Sequence, residues 1–246
     1  MKKCVTVLVV VIMGTLWLTG SVMALGFSDD GVALQGLLDN LAVDGSNDID
    51  VTADYIADNA DSAWMITATG GSFSRLVFDL SASQQDNAFG IYSDGQSVEL
   101  FAGAAGAGAR AVLEIGYDGS VLVNLHDTGI DVSNNNFGFY IEAADERFYS
   151  DSALNANGFD HMAAYRGIGE MVQLPAVQAG PWTSSEFILA WDTTLTGDSG
   201  TYNDFVVMVE SVELAPVPEP GTLLLLGSGL MGAVAVGRKR RRAYRA

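Results

Sequence analysis

Between residues 64 and 214, Gly, Asn or Asp interrupts the chain at intervals of about ten residues. The stretches between these breaks are rich in Val, Ile, Phe and Tyr. Branched and aromatic side chains suit a pleated, half-buried surface, whereas Gly, Asn and Asp suit turns. The pattern predicts strands over 64–68, 73–80, 88–92, 98–101, 110–117, 120–125, 137–141, 162–166, 186–191 and 204–214. Tyr117-Asp118-Gly119-Ser120 sets Asp-Gly between two of them, the signal of a two-residue hairpin turn. Around ten short strands with brief connections predict a mainly β chain folded as an antiparallel β-sandwich, jelly-roll-like. One segment breaks the pattern. Residues 31–41 place Leu34, Leu37, Leu38 and Leu41 at helical spacing, which predicts one short N-terminal amphipathic helix capping the core.

Both ends carry signals of another kind. Met1-Lys2-Lys3 is a positive start, residues 5–18 are apolar, and Ser21-Val22-Met23-Ala24 offers small or tolerated residues before a cut after Ala24. Residues 1–24 therefore read as a signal peptide for signal peptidase. Cys4, the chain's single cysteine, lies ahead of the apolar stretch and leaves with it. A cysteine-free remainder excludes disulfides, thiol catalysis and cysteine-ligated metals. At the other end, residues 216–221 hold Pro218-Glu219-Pro220 and read as a stiff, extended linker. Residues 222–236 follow without a charge. Roughly 15 residues at about 1.5 Å each reach about 22 Å, short of the about 20 residues a bilayer asks for. Gly221 and Gly237 at the edges, with snorkelling by Arg238, complete a transmembrane helix over 222–237. Arg238, Lys239, Arg240, Arg241 and Arg242 form a basic stop, which keeps 238–246 on the cytoplasmic side and the body, 25–215, on the other.

The Pro-Glu-Pro word, the apolar helix and the arginine cluster, in that order, resemble the PEP-CTERM sorting signal over roughly residues 216–246. In bacteria that make extracellular polysaccharide, exosortase, a membrane cysteine protease-transpeptidase, reads this signal. The resemblance implies removal of the tail near Pro218, Glu219 and Pro220. The body is then transferred or released at the cell surface, with exosortase as partner and exopolysaccharide as a candidate partner. A plain anchor that is never cut is the competing reading of the same segment.

Of the 12 Lys and Arg, only Arg75, Arg110, Arg147 and Arg166 lie in the body. Of the 30 Asp and Glu, all but Glu219 lie there, so 29 acids face four arginines and the net charge is near −25. Such a surface repels nucleic acid and attracts cations. His126 and His161 are the only histidines, and no HExxH, G-x-S-x-G or cysteine nucleophile accompanies them. Asp160-His161 has no marked nucleophile, and a histidine bonded to backbone fits it better than a triad. Gly103 to Gly108 lacks the Lys-Ser/Thr of a phosphate loop and fits a connection between strands. Phe89-Gly90-Ile91-Tyr92 and Phe137-Gly138-Phe139-Tyr140 are alike, as matching strands of a two-layer sandwich would be. Asp192, Asp198, Asn203 and Asp204 crowd oxygen donors into one turn between two strands, the donor type that Ca²⁺ takes. Turn chemistry is the plainer reading of the same residues. A second acidic loop from Asp44 to Asp50 lacks the Gly and Glu of an EF-hand.

Residues of about 88–214, ending in Thr-Tyr-Asn-Asp-Phe-Val-Val-Met-Val-Glu, also resemble a domain of unknown function common in PEP-CTERM proteins and large bacterial surface proteins. Where that family often has an acid before Tyr-Asn-Asp, this chain has Thr201. The resemblance implies a β-rich extracellular module and no settled activity. Three readings of the body follow. It is a non-enzymatic surface or matrix protein, a Ca²⁺-dependent glycan-binding or adhesive module, or a secreted carbohydrate-active enzyme using Trp64, Trp182 and Trp191 as a sugar platform.

Overall fold

Antiparallel pairing organises every sheet of the computed structural model, which describes residues 31–43, 48–79, 87–103, 105–143, 145–194 and 200–216. The signal peptide with Ala24, the Pro218-Glu219-Pro220 word, the predicted membrane helix, the basic stop Arg238 to Arg242, and Asp198 lie outside the described residues. No described helix is long and apolar enough to cross a membrane.

One α-helix, α1 (Gly31–Leu41), opens the described chain. The strands are β1 (Trp64–Ile66), β2 (Ser72–Asp79), β3 (Ala88–Ser93), β4 (Gln96–Phe101), β5 (Arg110–Ile115), β6 (Ser120–Val123), β7 (His126–Asp131) and β8 (Gly138–Ala143). They continue with β9 (Glu146–Tyr149), β10 (Met162–Arg166), β11 (Met171–Val172), β12 (Gly180–Pro181), β13 (Glu186–Trp191), β14 (Phe205–Glu210) and β15 (Val212–Leu214). A large sheet runs β10-β13-β14-β2-β5-β6-β7 and a small one β4-β3-β8-β9, with the pairs β1-β15 and β11-β12 beside them. The fold is mainly β, with one α-helix among the described residues, as the sequence predicts for the body.

The core lies between the two sheets. Phe89, Ile91, Phe139 and Ile141 of the small sheet meet Leu76, Leu113, Phe187, Leu189, Trp191 and Val207 of the large one. Trp64 bridges the layers, packing edge-on to Phe139 at 5.6 Å and to Phe187 at 4.8 Å. A second cluster covers the opposite face of the large sheet. There Leu34 and Leu38 of α1 pack with Tyr165, Trp182, Ile188, Val206 and Met208. Burying each of those leucines contributes roughly 2 kcal/mol. Strands β10, β13 and β14 are thus covered on both faces, which explains their unbroken apolar runs.

Turn chemistry sets the register. Asp94 (φ 52) and Gly95 (φ 75) join β3 to β4 as a two-residue turn, with Ser93 opposite Gln96. The predicted Asp118-Gly119 turn differs. Asp118 spends its carboxylate on the Ser120 amide and hydroxyl, only Gly119 (φ 91) of that turn is left-handed, and the first strand pair is Ile115 with Val121. The connection is therefore longer than two residues. The predicted strand 204–214 is broken at Ser211 (φ 61). Its first half joins the large sheet and its second half turns to pair with β1. The polar strand β7 forms by pairing along β6, while the four-residue β9, which buries Phe148 in the core, pairs along β8.

Candidate functional site

The loop from β13 to β14 brings Asp192 and Asp204 to its base, where Trp191 pairs with Phe205. Asp192 Oδ1 accepts from the Thr194 amide (2.9 Å) and hydroxyl (2.6 Å). Asp204 Oδ2 accepts from the Thr193 amide (2.7 Å) and hydroxyl (2.8 Å). One oxygen of each carboxylate thus holds the loop's own backbone, as Asp does in turns. Asn203 sits half-buried between them and Asp198 is outside the described residues. Among the described residues, no group of three or more His, Cys, Asp or Glu is arranged to hold a metal ion.

A second carboxyl group cluster lies beside this loop, and sequence reasoning missed it. The backbones of His161 and Asp192 are bonded, and His161 Nδ1 lies 2.9 Å from the Asp192 carbonyl. Burial lowers the pKa of that imidazole, which is a structural histidine bonded to backbone. Next to it, Asp160 Oδ1 accepts from the Met162 amide at 3.0 Å while Oδ2 is buried. With every acid ionised, Asp160 Oδ2 and both oxygens of the fully buried Asp61 lack a hydrogen-bond donor. Asp58 stands within bonding distance of Asp160, a contact that serves only when one of the two holds a proton. Burial, then the Asp58 carboxylate, pushes Asp160 up to about 8. Burial, then Asp160 and Asp58, raises Asp61 well above the usual carboxylate range. Nothing in the sequence joins residues 58 and 61 to residue 160.

The small sheet has an aromatic outer face. The register of β3 with β8 sets Gly90 opposite Tyr140 and Tyr92 opposite Gly138. The two Phe-Gly-x-Tyr words are therefore neighbours in one sheet, and each tyrosine lies over the other's glycine. A Cβ on Gly138 would come within 2.2 Å of the Tyr92 ring, and one on Gly90 within 2.8 Å of the Tyr140 ring. Tyr92 meets Tyr149 edge-on at 5.0 Å, and the Arg147 guanidinium lies 4.3 Å over the Tyr140 ring. Arg147 also pairs with Glu142 and donates to Ser97 Oγ at 3.2 Å. Burial pushes the Tyr92 phenol up to about 12, so it stays protonated. At this end of the sheet a groove of about 560 Å³ is lined by Tyr92, Gln96, Ser97, Asn136, Arg147 and Tyr149, among others. Trp64, Trp182 and Trp191 are buried, at 1 % exposure or less, and present no platform to a sugar.

The described residues end where the sorting word begins. Ala215 is buried and its amide donates to the Ala63 carbonyl at 2.8 Å, while Pro216 is exposed. Residues 216–242 match the PEP-CTERM protein-sorting motif. The chain carries that motif, which marks an exported protein sorted through exosortase. No curated protein matches the chain.

Proposed function

We propose that the body is a non-catalytic module of the cell surface or extracellular matrix, delivered there by its tail. The observation that carries this reading is the sorting motif starting at residue 216, one residue after Ala215, the last buried residue among the described ones. A protease cutting at Pro218-Glu219-Pro220 acts beyond Ala215 and leaves the described fold intact. The non-catalytic reading is supported by where the acids lie. Two acids line the groove, Asp94 and Asp151, and each holds a backbone amide: Asp94 accepts from Ser133 at 2.6 Å and Asp151 from Ala153 at 3.0 Å, the turn-holding use of Asp rather than the acid-base use of a glycosidase pair. Antibody labelling of intact cells tests this reading. Body epitopes should be accessible at the surface or recovered in the matrix, and confinement to the inner membrane would overturn it.

The tyrosine groove favours a second reading, glycan binding. Tyr92 and Tyr149 offer aromatic surface and hydroxyls, while Gln96, Ser97, Asn136 and Arg147 offer hydrogen-bonding groups along the same groove. A net charge near −25 on the body, from 29 acids and four arginines, favours a neutral chain over an acidic one. Electrophoresis through gels cast with a neutral polysaccharide tests it. The chain should be retarded, and Gly138→Ala, which displaces Tyr92, should reduce the retardation at least tenfold. Equal mobility with and without polysaccharide would sink glycan binding and leave the surface assignment standing.

A further inference from the structure

Across β13, β14 and β2 the register sets Glu186 opposite Glu210 and Glu210 opposite Phe73, with Met208 opposite Arg75 in the next row. Residues two apart on a strand share a face, so these five stand together on the face of the large sheet that also packs α1. The hairpin of β11 and β12 lies over them. Val172 pairs with Gly180 and Met171 with Pro181, and residues 173–179 form its loop. Arg75, only 7 % exposed, fastens this roof, its Nη1 donating to the Pro175 carbonyl at 3.2 Å and to the Gly108 carbonyl at 3.0 Å. Between sheet and hairpin is a pocket of about 290 Å³. Val177 and Gln178 on its rim are exposed, so a solute can reach it.

The pocket has two halves. Phe73, Leu174, Pro181 and Met208 give it apolar walls, while Glu186 and Glu210 stand half-buried in its floor. One Glu186 oxygen accepts from the Thr183 amide, which fixes that side chain. Like charges directly opposite on paired strands destabilise a sheet, so this pair calls for a positive group between its members. Arg75 is not that group, because its Nη1 is held by carbonyls and the ion pair among the described residues joins Arg147 to Glu142. Burial, then the Glu186 carboxylate, raises the Glu210 carboxyl above its usual value. Two glutamates against one arginine leave the pocket one positive charge short. Between residues 25 and 215 the chain has no lysine, so the body has no ammonium of its own to supply. A proton shared by the glutamates balances the charge but uses none of the apolar wall. Two carboxylates are too few for Ca²⁺, which takes about six to eight oxygens. An organic cation uses both halves. A compact ammonium fits between two facing carboxylates, whereas a guanidinium forks onto one.

We propose that this pocket binds a primary ammonium on an apolar stem, the ammonium between Glu186 and Glu210 and the stem against Phe73, Leu174 and Met208. The pocket shares no residue with the tyrosine groove of the small sheet. The site goes beyond the surface assignment and stands or falls independently of it.

Calorimetric titration of the purified full chain with pentan-1-amine tests the site, with pentan-1-ol as the uncharged stem. Pentan-1-amine should bind saturably, one per chain, and at least tenfold more tightly than pentan-1-ol. Glu186→Gln and Glu210→Gln should each weaken it at least tenfold with an unchanged circular dichroism spectrum. Glu213→Gln, at an exposed position outside the pocket, should leave it within twofold. N-acetyl-lysine methylamide separates the two sources of such a group. Affinity within tenfold of pentan-1-amine assigns the pocket to a lysine side chain of a partner protein, and weaker binding assigns it to a free amine. No saturable binding of pentan-1-amine to the folded wild-type chain overturns the proposal. So does binding that both glutamine variants retain, or that pentan-1-ol matches. The alcohol comparison needs no variant, so it decides the matter even where a variant fails to fold.

Discussion

The tail and the body store what they do in opposite ways. In the tail the meaning is consecutive, because a Pro-Glu-Pro word, an apolar stretch and a basic block are read by a membrane and an enzyme as they come. In the body it appears only on folding. Gly138 acquires its role when β8 aligns with β3 and receives the Tyr92 ring. Asp160 acquires its role when the 50–62 segment brings Asp58 and Asp61 against it. Charge divides the same way, with 29 acids and four arginines in the body and the tail dominated by Arg238 to Arg242. The two regions should therefore fail independently under mutation.

The largest test of that separation is in the tail. Replacing Pro218, Glu219 and Pro220 together with alanine should lower the processed form at least tenfold on immunoblots. Unfolding of the body should move by less than about 0.5 kcal/mol, as for changes away from packed contacts. A body that unfolds along with the tail change would join what the comparison separates. The counterpart in the body is Trp64→Ala. Trp64 packs on Phe139 and Phe187 across both layers, and its loss should cost about 3–5 kcal/mol in denaturant unfolding. The position of the cut in molecules that still fold should not change.

Smaller effects separate the two acidic groups within the body. Asp192→Ala removes the acceptor of both Thr194 bonds at a buried position and should cost about 1.5–3 kcal/mol by thermal unfolding. The shallowest effect is in pH. Asp160 has a folded-state pKa of about 8, above its usual carboxylate value, so the native state holds a proton that the unfolded chain has released. Its contribution is complete below about pH 4, is lost as pH rises towards 8, and changes no further beyond that. In EDTA the thermal midpoint should therefore fall between pH 5 and 8, by at most about 1.4 kcal/mol per pH unit for one proton. A midpoint that rises over that interval would contradict the buried placement of this acid.

How much was legible in advance follows from the same division. The strands 162–166 and 186–191 and the helix 31–41 were readable because burial on one or both faces writes itself as apolar periodicity. β7 was not, since a polar strand such as His126–Asp131 owes its state to the neighbour it pairs with, and β9 is four residues with one buried side chain, Phe148, too short to show a period. Asp192 and Asp204 were legible as crowded donors because they flank one turn, though not the threonines that use them. Asp58 and Asp160 meet through tertiary packing alone. The Phe-Gly-x-Tyr words were visible as a likeness, but the reciprocal seating of tyrosine on glycine needed the register.

The claim on which the rest depends is that the tail is a removable address attached to a finished fold. The most direct measurement is the mass of the protein recovered from outside the cell. A C-terminus between Pro218 and Gly221 is the expected result, a few residues beyond Ala215, the last buried residue among the described ones. An intact chain still carrying Arg238 to Arg242 would contradict the account.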